Sequence, residues 1–313
     1  MKNKLLILSS DADHYLEILR KAALPDLSIE ICSEVNRENP HLQACDILFG
    51  SPDLVSQALP YARQLQWVQS MWAGVTPYMA PGMRQDYLLT GVKEIFGPVM
   101  AEYVTCHLLM HERKSLARFE NQLQKKWDQT PPGSLMGKCI GIMGLGSIGS
   151  EIAKMAKLFG METRGFSRSQ RSCEGIDRCF LPDALMAFVQ DLDYLVCVLP
   201  DTPDTSGLID QAVLGAMRKT ALVINVGRGN LIHEPSLVQA LKNGDIAGAV
   251  LDVFQKEPLP AADPLWEAPN VIITSHTAAM SFPELVAPIF IENYQRFIEQ
   301  KTLQYGIDFS RGY

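Results

Sequence analysis

The stretch Gly141-Ile142-Met143-Gly144-Leu145-Gly146-Ser147-Ile148-Gly149 constrains this chain more than any other. The apolar run Cys139–Met143 reads as a buried strand that ends in Gly-x-Gly-x-x-Gly at Gly144, Gly146 and Gly149. A helical pattern continues through Glu151 to Phe159. Glycine lets a chain turn sharply between strand and helix and leaves its backbone amides open to an anion. Those amides lie at the positive end of the helix dipole, where a pyrophosphate can bind. A glycine run alone also occurs in ordinary tight turns. Set between a strand and a helix, it predicts a dinucleotide cradle made of Gly144, Gly146, Ser147, Ile148 and Gly149.

The rest of the chain fits around that cradle. Its 313 residues suffice for two domains with full cores. Up to about residue 97, short apolar runs alternate with helical patterns. Strands are expected at Lys4–Leu8, Ile29–Cys32, Ile47–Gly50, Trp67–Gln69 and Leu88–Thr90, and helices at His14–Ala23 and Leu54–Tyr61. Such alternation predicts a parallel sheet covered on both faces, here a small flavodoxin-like α/β domain. Gly97-Pro98 marks a boundary, since proline opens helices at their first turn. One long helix is expected from Val99 to Leu123, with an apolar stripe of Val99, Tyr103, Leu109, Leu116 and Phe119, then a loop from Trp127 to Gly137. A second series follows, with strands at Cys139–Met143, Glu162–Phe166, Tyr194–Val198, Ala221–Asn225, Gly248–Asp252 and Val271–Thr274. It predicts a doubly wound parallel-sheet Rossmann domain. A last helix is expected at about Pro283 to Lys301.

Composition excludes some classes. The formal net charge of -7 argues against a nucleic-acid surface. The seven cysteines are scattered and form no Cys-x-x-Cys pair, so neither a metal site nor a disulfide framework is suggested. The apolar start Leu5–Leu8 stops at Ser9-Ser10-Asp11, too early for a signal peptide, and no stretch approaches the ~20 residues of a membrane span. A cytoplasmic protein is the expectation.

Strand ends carry the chemistry in open α/β sheets. The strand Glu162–Phe166 ends in Ser167-Arg168-Ser169, where NAD-binding chains place a ribose-binding carboxylate. An arginine between two serines suits the 2′-phosphate of NADP(H) instead, so NADP(H) is the preferred cofactor and NAD(H) the alternative. Three later strand ends bring Arg228 (in Val226-Gly227-Arg228-Gly229), Glu257 (before Pro258) and His276 (in Ser275-His276-Thr277-Ala278). A guanidinium grips a carboxylate through paired hydrogen bonds. A histidine donates a proton near neutral pH, and a carboxylate beside it orients the ring. Singly, each residue reads as a surface cation, a loop charge or a structural histidine; together, at consecutive strand ends, they read as a catalytic set. In the first domain, the loop Ser70–Thr76 follows a strand and contains Gly74, which could bare amides to an anion; an ordinary turn with Trp72 in the core is the other reading.

At these residues the chain resembles the D-isomer-specific 2-hydroxyacid dehydrogenases, and most of all the short glyoxylate/hydroxypyruvate reductases. The resemblance rests on Gly144–Gly149, Val198-Leu199-Pro200-Asp201-Thr202-Pro203, Asn225–Gly229, Leu251-Asp252-Val253-Phe254 with Glu257-Pro258-Leu259-Pro260, Ser275–Ala278, and, in the first domain, Ala73-Gly74-Val75. It implies reduction of small 2-keto acids, glyoxylate or hydroxypyruvate, with Arg228 binding the substrate, His276 as acid/base and Glu257 its partner. It implies that Asp252 meets the nicotinamide carboxamide, that Val198, Leu199, Pro200 and Val226 line the nucleotide, and that Trp72, Ala73 and Gly74 help bind substrate. It further implies a discontinuous substrate domain of residues 1–97 with 283–313, a dinucleotide domain of 98–282 that starts with an inter-domain helix, and a homodimer. Two alternatives stay open: a reductase of larger 2-keto acids, and a dinucleotide-sensing protein like the family's co-repressors.

Overall fold

The structure is a computed structural model and describes residues 2–169 and 173–309. The chain divides at Ile95/Phe96 and at Met280/Ser281 into two compact units, the first assembled from both ends of the sequence.

The first unit holds a five-stranded parallel sheet of β1 (Asn3–Leu8), β2 (Leu27–Cys32), β3 (Ile47–Gly50), β4 (Trp67–Ser70) and β5 (Leu88–Thr90), in the order β2-β1-β3-β4-β5. Helices α1 (Ala12–Lys21), α2 (Pro40–Ala44) and α3 (Pro52–Ala58) connect the strands. This is the flavodoxin-like order, with its reversal between β1 and β3. The C-terminal helix Pro283–Ile298 completes the core. Phe290 stacks between Phe49 and Trp67, at 4.6 and 5.2 Å between ring centroids, and Phe297 stacks on Trp67 at 5.4 Å. Buried polar groups lock the same contact. Gln69 Oε1 accepts from Thr90 Oγ1 at 2.8 Å and from Asn293 Nδ2 at 2.9 Å, which leaves no oxygen of that amide bare.

The second unit begins with α4 (Phe96–Glu112) and α5 (Ser115–Leu123). The single long helix expected over Val99–Leu123 is therefore broken, at Lys114, which sits in the left-handed region (φ 52°). Neither glycine nor proline marks the break. Bonds from outside the helix accompany it: the loop returning from Trp127 donates Gly133 N–H to the Glu112 carbonyl at 2.8 Å, and Arg118 Nε donates to the Arg113 carbonyl at 3.0 Å. Beyond lie β6 (Cys139–Met143), α6 (Ser147–Leu158), β7 (Glu162–Phe166), β8 (Arg178–Phe180), α7 (Leu185–Val189), β9 (Tyr194–Cys197), α8 (Gln211–Ala216), β10 (Leu222–Asn225), α9 (Glu234–Asn243), β11 (Gly248–Leu251) and β12 (Val271–Ile273). They form a seven-stranded parallel sheet, β12-β11-β10-β9-β6-β7-β8. β6, β9, β10 and β11 are buried along their whole length, as central strands covered on both faces must be. The order reverses between β6 and β9, the switch point where this architecture opens a crevice. β8 was not expected from the sequence: it is a three-residue edge strand beginning at an arginine. No helix among the described residues is long and apolar enough to cross a membrane.

Candidate active site

Each glycine of the cradle has its own geometric reason. Gly144 leaves β6 at φ 105°, and a Cβ there would lie 2.9 Å from the Val198 carbonyl oxygen. A Cβ on Gly149 would lie 1.9 Å from the Gly144 carbonyl oxygen, so the first turn of α6 closes onto the strand only with glycine there. A Cβ on Gly146 would meet nothing within 4 Å, so that turn faces open space. Ser147, Ile148 and Gly149 start α6, and their amides precede the first intrahelical bond, Ser150 N–H to the Gly146 carbonyl. Among the described residues the turn thus presents donors without intrahelical partners, and a dipole end, to a space a phosphate can fill. Val198 N–H bonds the Met143 carbonyl at 2.9 Å, so Val198, Leu199 and Pro200, at the end of β9, flank the cradle across the switch point.

At the tip of β7, Ser167 is buried and turns its hydroxyl back to the Ser169 carbonyl at 2.5 Å. Its hydroxyl therefore shapes the turn before it can serve a ligand. Arg168 and Ser169 are exposed. Gln170–Ser172 follow and lie outside the described residues.

Strands β10, β11 and β12 are neighbours, so their carboxyl ends deliver three loops side by side. Glu257 and His276 meet: Nδ1 of His276 lies 2.8 Å from Oε2 of Glu257. The other oxygen, Oε1, accepts Phe254 N–H at 3.0 Å, so the carboxylate is aimed from behind. With Nδ1 turned to a carboxylate, the ring keeps Nε2 for other partners. His276 holds φ 56°, a left-handed conformation that costs an L residue roughly 1–2 kcal/mol. Arg228 does not bond to either partner among the described residues; its Nη1 donates to the Gly227 carbonyl at 2.7 Å. It is exposed, and its loop is held by Asn225, whose amide both accepts Gly227 N–H at 3.2 Å and donates to the Arg228 carbonyl at 3.0 Å. Val226, beside it, is buried.

In the first unit, the loop after β4 splits its bulky residues. Met71 is buried and belongs to the core. Trp72 is 42% exposed and Ala73 is exposed. Ser70 Oγ braces the turn, donating to the Trp72 carbonyl at 3.0 Å. A Cβ on Gly74 would meet nothing within 4 Å.

The sequence model of the D-isomer specific 2-hydroxyacid dehydrogenase NAD binding domain matches residues 106–278. The chain belongs to this family. Among curated relatives, a glyoxylate/hydroxypyruvate reductase A of Escherichia fergusonii is 31% identical over 258 residues, 80% of this chain and 83% of that protein. A D-isomer specific 2-hydroxyacid dehydrogenase family protein of Aeromonas salmonicida, solved by crystallography, is 42% identical with a TM-score of 0.95, covering 99% of this chain and all of that one. An NADPH-dependent glyoxylate/hydroxypyruvate reductase of Sinorhizobium meliloti, solved with NADP and sulfate, is 27% identical with a TM-score of 0.83 over the full length of both chains.

Several residues that hold the loops of this family member were not singled out from the sequence as doing so. Asn225 had a signal, a polar side chain closing an otherwise apolar strand. Thr274 had none, because its partner Asp252 lies 22 residues away in sequence.

Proposed function

We propose that this chain is an NADPH-preferring reductase of small 2-keto acids, glyoxylate and hydroxypyruvate foremost. The observation that carries the reading is the His276–Glu257 pair, 2.8 Å apart at a strand end of the sheet that also bears the glycine cradle. The cradle fits a dinucleotide, since Gly144 and Gly149 admit no Cβ and Gly146 faces open space. Gly144, Gly146, Ser147, Ile148 and Gly149 would hold its pyrophosphate; Val198, Leu199, Pro200 and Val226 would line it. When bound, the dinucleotide supplies the hydride. His276 gives the proton from Nε2 to the keto oxygen while Glu257 stabilises the ring and fixes its tautomer. Arg228 grips the substrate carboxylate and polarises the carbonyl. Trp72, Ala73 and Gly74 would help bind the substrate.

Arg168 and the absence of a carboxylate at the β7 tip support NADP(H) over NAD(H). The Sinorhizobium relative, described as NADPH-dependent, supports the same preference. We also propose a homodimer. Helix α5 has no buried residue, and its Leu116, Phe119 and Leu123 are 50, 57 and 68% exposed. An amphipathic helix bare on its apolar face suits a second copy.

Steady-state oxidation of NADPH and NADH across glyoxylate, hydroxypyruvate, pyruvate and phenylpyruvate tests the function. The expected result is turnover highest on the two small substrates with NADPH. Tight NADPH binding without turnover on any keto acid would replace this reading with a sensing role. Arg168→Asp should move the NADPH/NADH ratio of kcat/KM down by roughly tenfold or more, the size of one lost charge-assisted contact. Phe119→Glu should yield monomers in sedimentation velocity.

A further inference from the structure

We propose that Tyr103 and Thr274 are positioning residues: through Asp252 they lock the segment Ser275–Ala278 so that His276 is presented to Glu257. What His276 then does rests on the reductase reading above; the locking itself does not.

Asp252 stands just past β11 and is 2% exposed. Its Oδ1 accepts Thr274 Oγ1–H at 2.6 Å and Thr277 N–H at 2.8 Å, and its Oδ2 accepts Ala278 N–H at 3.0 Å. Its carbonyl accepts His276 N–H at 2.8 Å. One residue therefore fastens the chain before, at and after His276. That grip is what the left-handed backbone at His276 requires, since an L side chain does not hold it by local preference.

Thr274 has a single hydroxyl proton, and the carboxylate takes it. The 2.7 Å contact between Thr274 Oγ1 and Tyr103 Oη must then run from the phenol into the threonine lone pair. Burial pushes the Tyr103 phenol up to about 12, so it keeps that proton over the working pH range. The ring of Tyr103 is held in turn by the buried His107, one turn along α4, at 4.4 Å between centroids. The order of the network is thus fixed: α4 orients Tyr103, Tyr103 orients Thr274, Thr274 orients Asp252, and Asp252 sets the His276 segment. An ionised carboxylate offers about four lone-pair positions. Among the described residues the chain occupies three of them, which leaves one on Oδ2, where the amide of a nicotinamide would find an acceptor.

The test uses the full-length chain and two readouts. Hydrogen exchange of the Thr277 and Ala278 amides, followed without cofactor, reports the lock. Steady-state kcat and KM report its use. Thr274→Val should speed exchange at those amides by about tenfold and lower kcat by about tenfold, the size of one lost hydrogen bond to a charged group, with the KM for NADPH within twofold. Thr274→Ser should restore both. Tyr103→Phe should do the same to a lesser degree, and adding it to Thr274→Val should change little more, because the two act in series. Unchanged exchange in Thr274→Val overturns the lock. Faster exchange with unchanged kcat overturns the positioning role and leaves a merely structural network. A wild-type chain inactive on every keto acid overturns the reductase reading and the catalytic consequence with it, while the exchange arm still decides the lock.

Discussion

The two ends of the seven-stranded sheet use the same residue types in opposite ways. At the amino ends of β6 and β9, Glu112 and Asp193 are buried and satisfied. Tyr194 Oη–H donates to Glu112, Lys138 lies 3.7 Å from Glu112 and 3.6 Å from Asp193, Arg218 lies 3.2 Å from Asp193, and Cys139 N–H donates to Asp193 at 2.8 Å. At the carboxyl ends, Glu257 and His276 are 37 and 56% exposed, and backbone bonds hold them from behind with one face open. The first set completes itself; the second is fixed but left incomplete. A carboxylate buried and paired inside the fold adds to integrity. One aimed by its own chain towards solvent is available to a ligand.

That contrast can be broken from either side. The largest effect is expected from His276→Ala, which should lower kcat by about a thousandfold, in the range of a lost general acid, while cofactor affinity and melting temperature hold. Near-normal turnover would remove His276 from its role. Glu112→Ala should do the reverse. It strands Tyr194 and Lys138 beside a void and should cost about 3 kcal/mol in urea unfolding, with kcat of the folded protein unchanged. A kcat loss as large as that of His276→Ala would show that the two ends are not separable.

The smallest effect concerns pH. Burial raises the Cys139 thiol at the start of β6 from 9.0 to about 11. The folded state binds this proton more tightly than the unfolded chain does. The thiol's contribution is therefore complete below pH 9 and disappears as pH rises to about 11. Melting temperature should fall across that window, and less steeply in Cys139→Ala.

Much of this was legible in the residues, and the gaps have physical causes. Fully buried parallel strands declare themselves as apolar runs, so β3 and β6 fall at their expected bounds; β5 and β7, each exposed at its first residue, do so as well. The places of Gly144 and Gly149 were legible because each answers a steric demand of the backbone, and such demands are local. The broken helix at Lys114 was not, because a bond that accompanies the break comes from a loop some twenty residues away. At the site, the meeting of Glu257 and His276 followed from their places on adjacent strand ends. The direction of Arg228 did not follow, since an exposed guanidinium is directed by whatever acceptor lies nearest, here its own loop. The lock around Asp252 was invisible because Tyr103, Asp252 and Thr274 are joined only by the fold.

The first unit is built from both ends of the sequence, and this sets an order on its birth. Phe49 and Trp67 wait for Phe290 and Phe297, and Gln69 for Asn293, through the synthesis of the whole intervening unit. At a translation rate of roughly 5–20 residues per second that wait lasts about ten seconds or more. The chain thus emerges with its amino-terminal sheet unfinished and its second unit able to close first. During that interval the aromatic face awaiting the last helix is the surface that chaperones would have reason to hold.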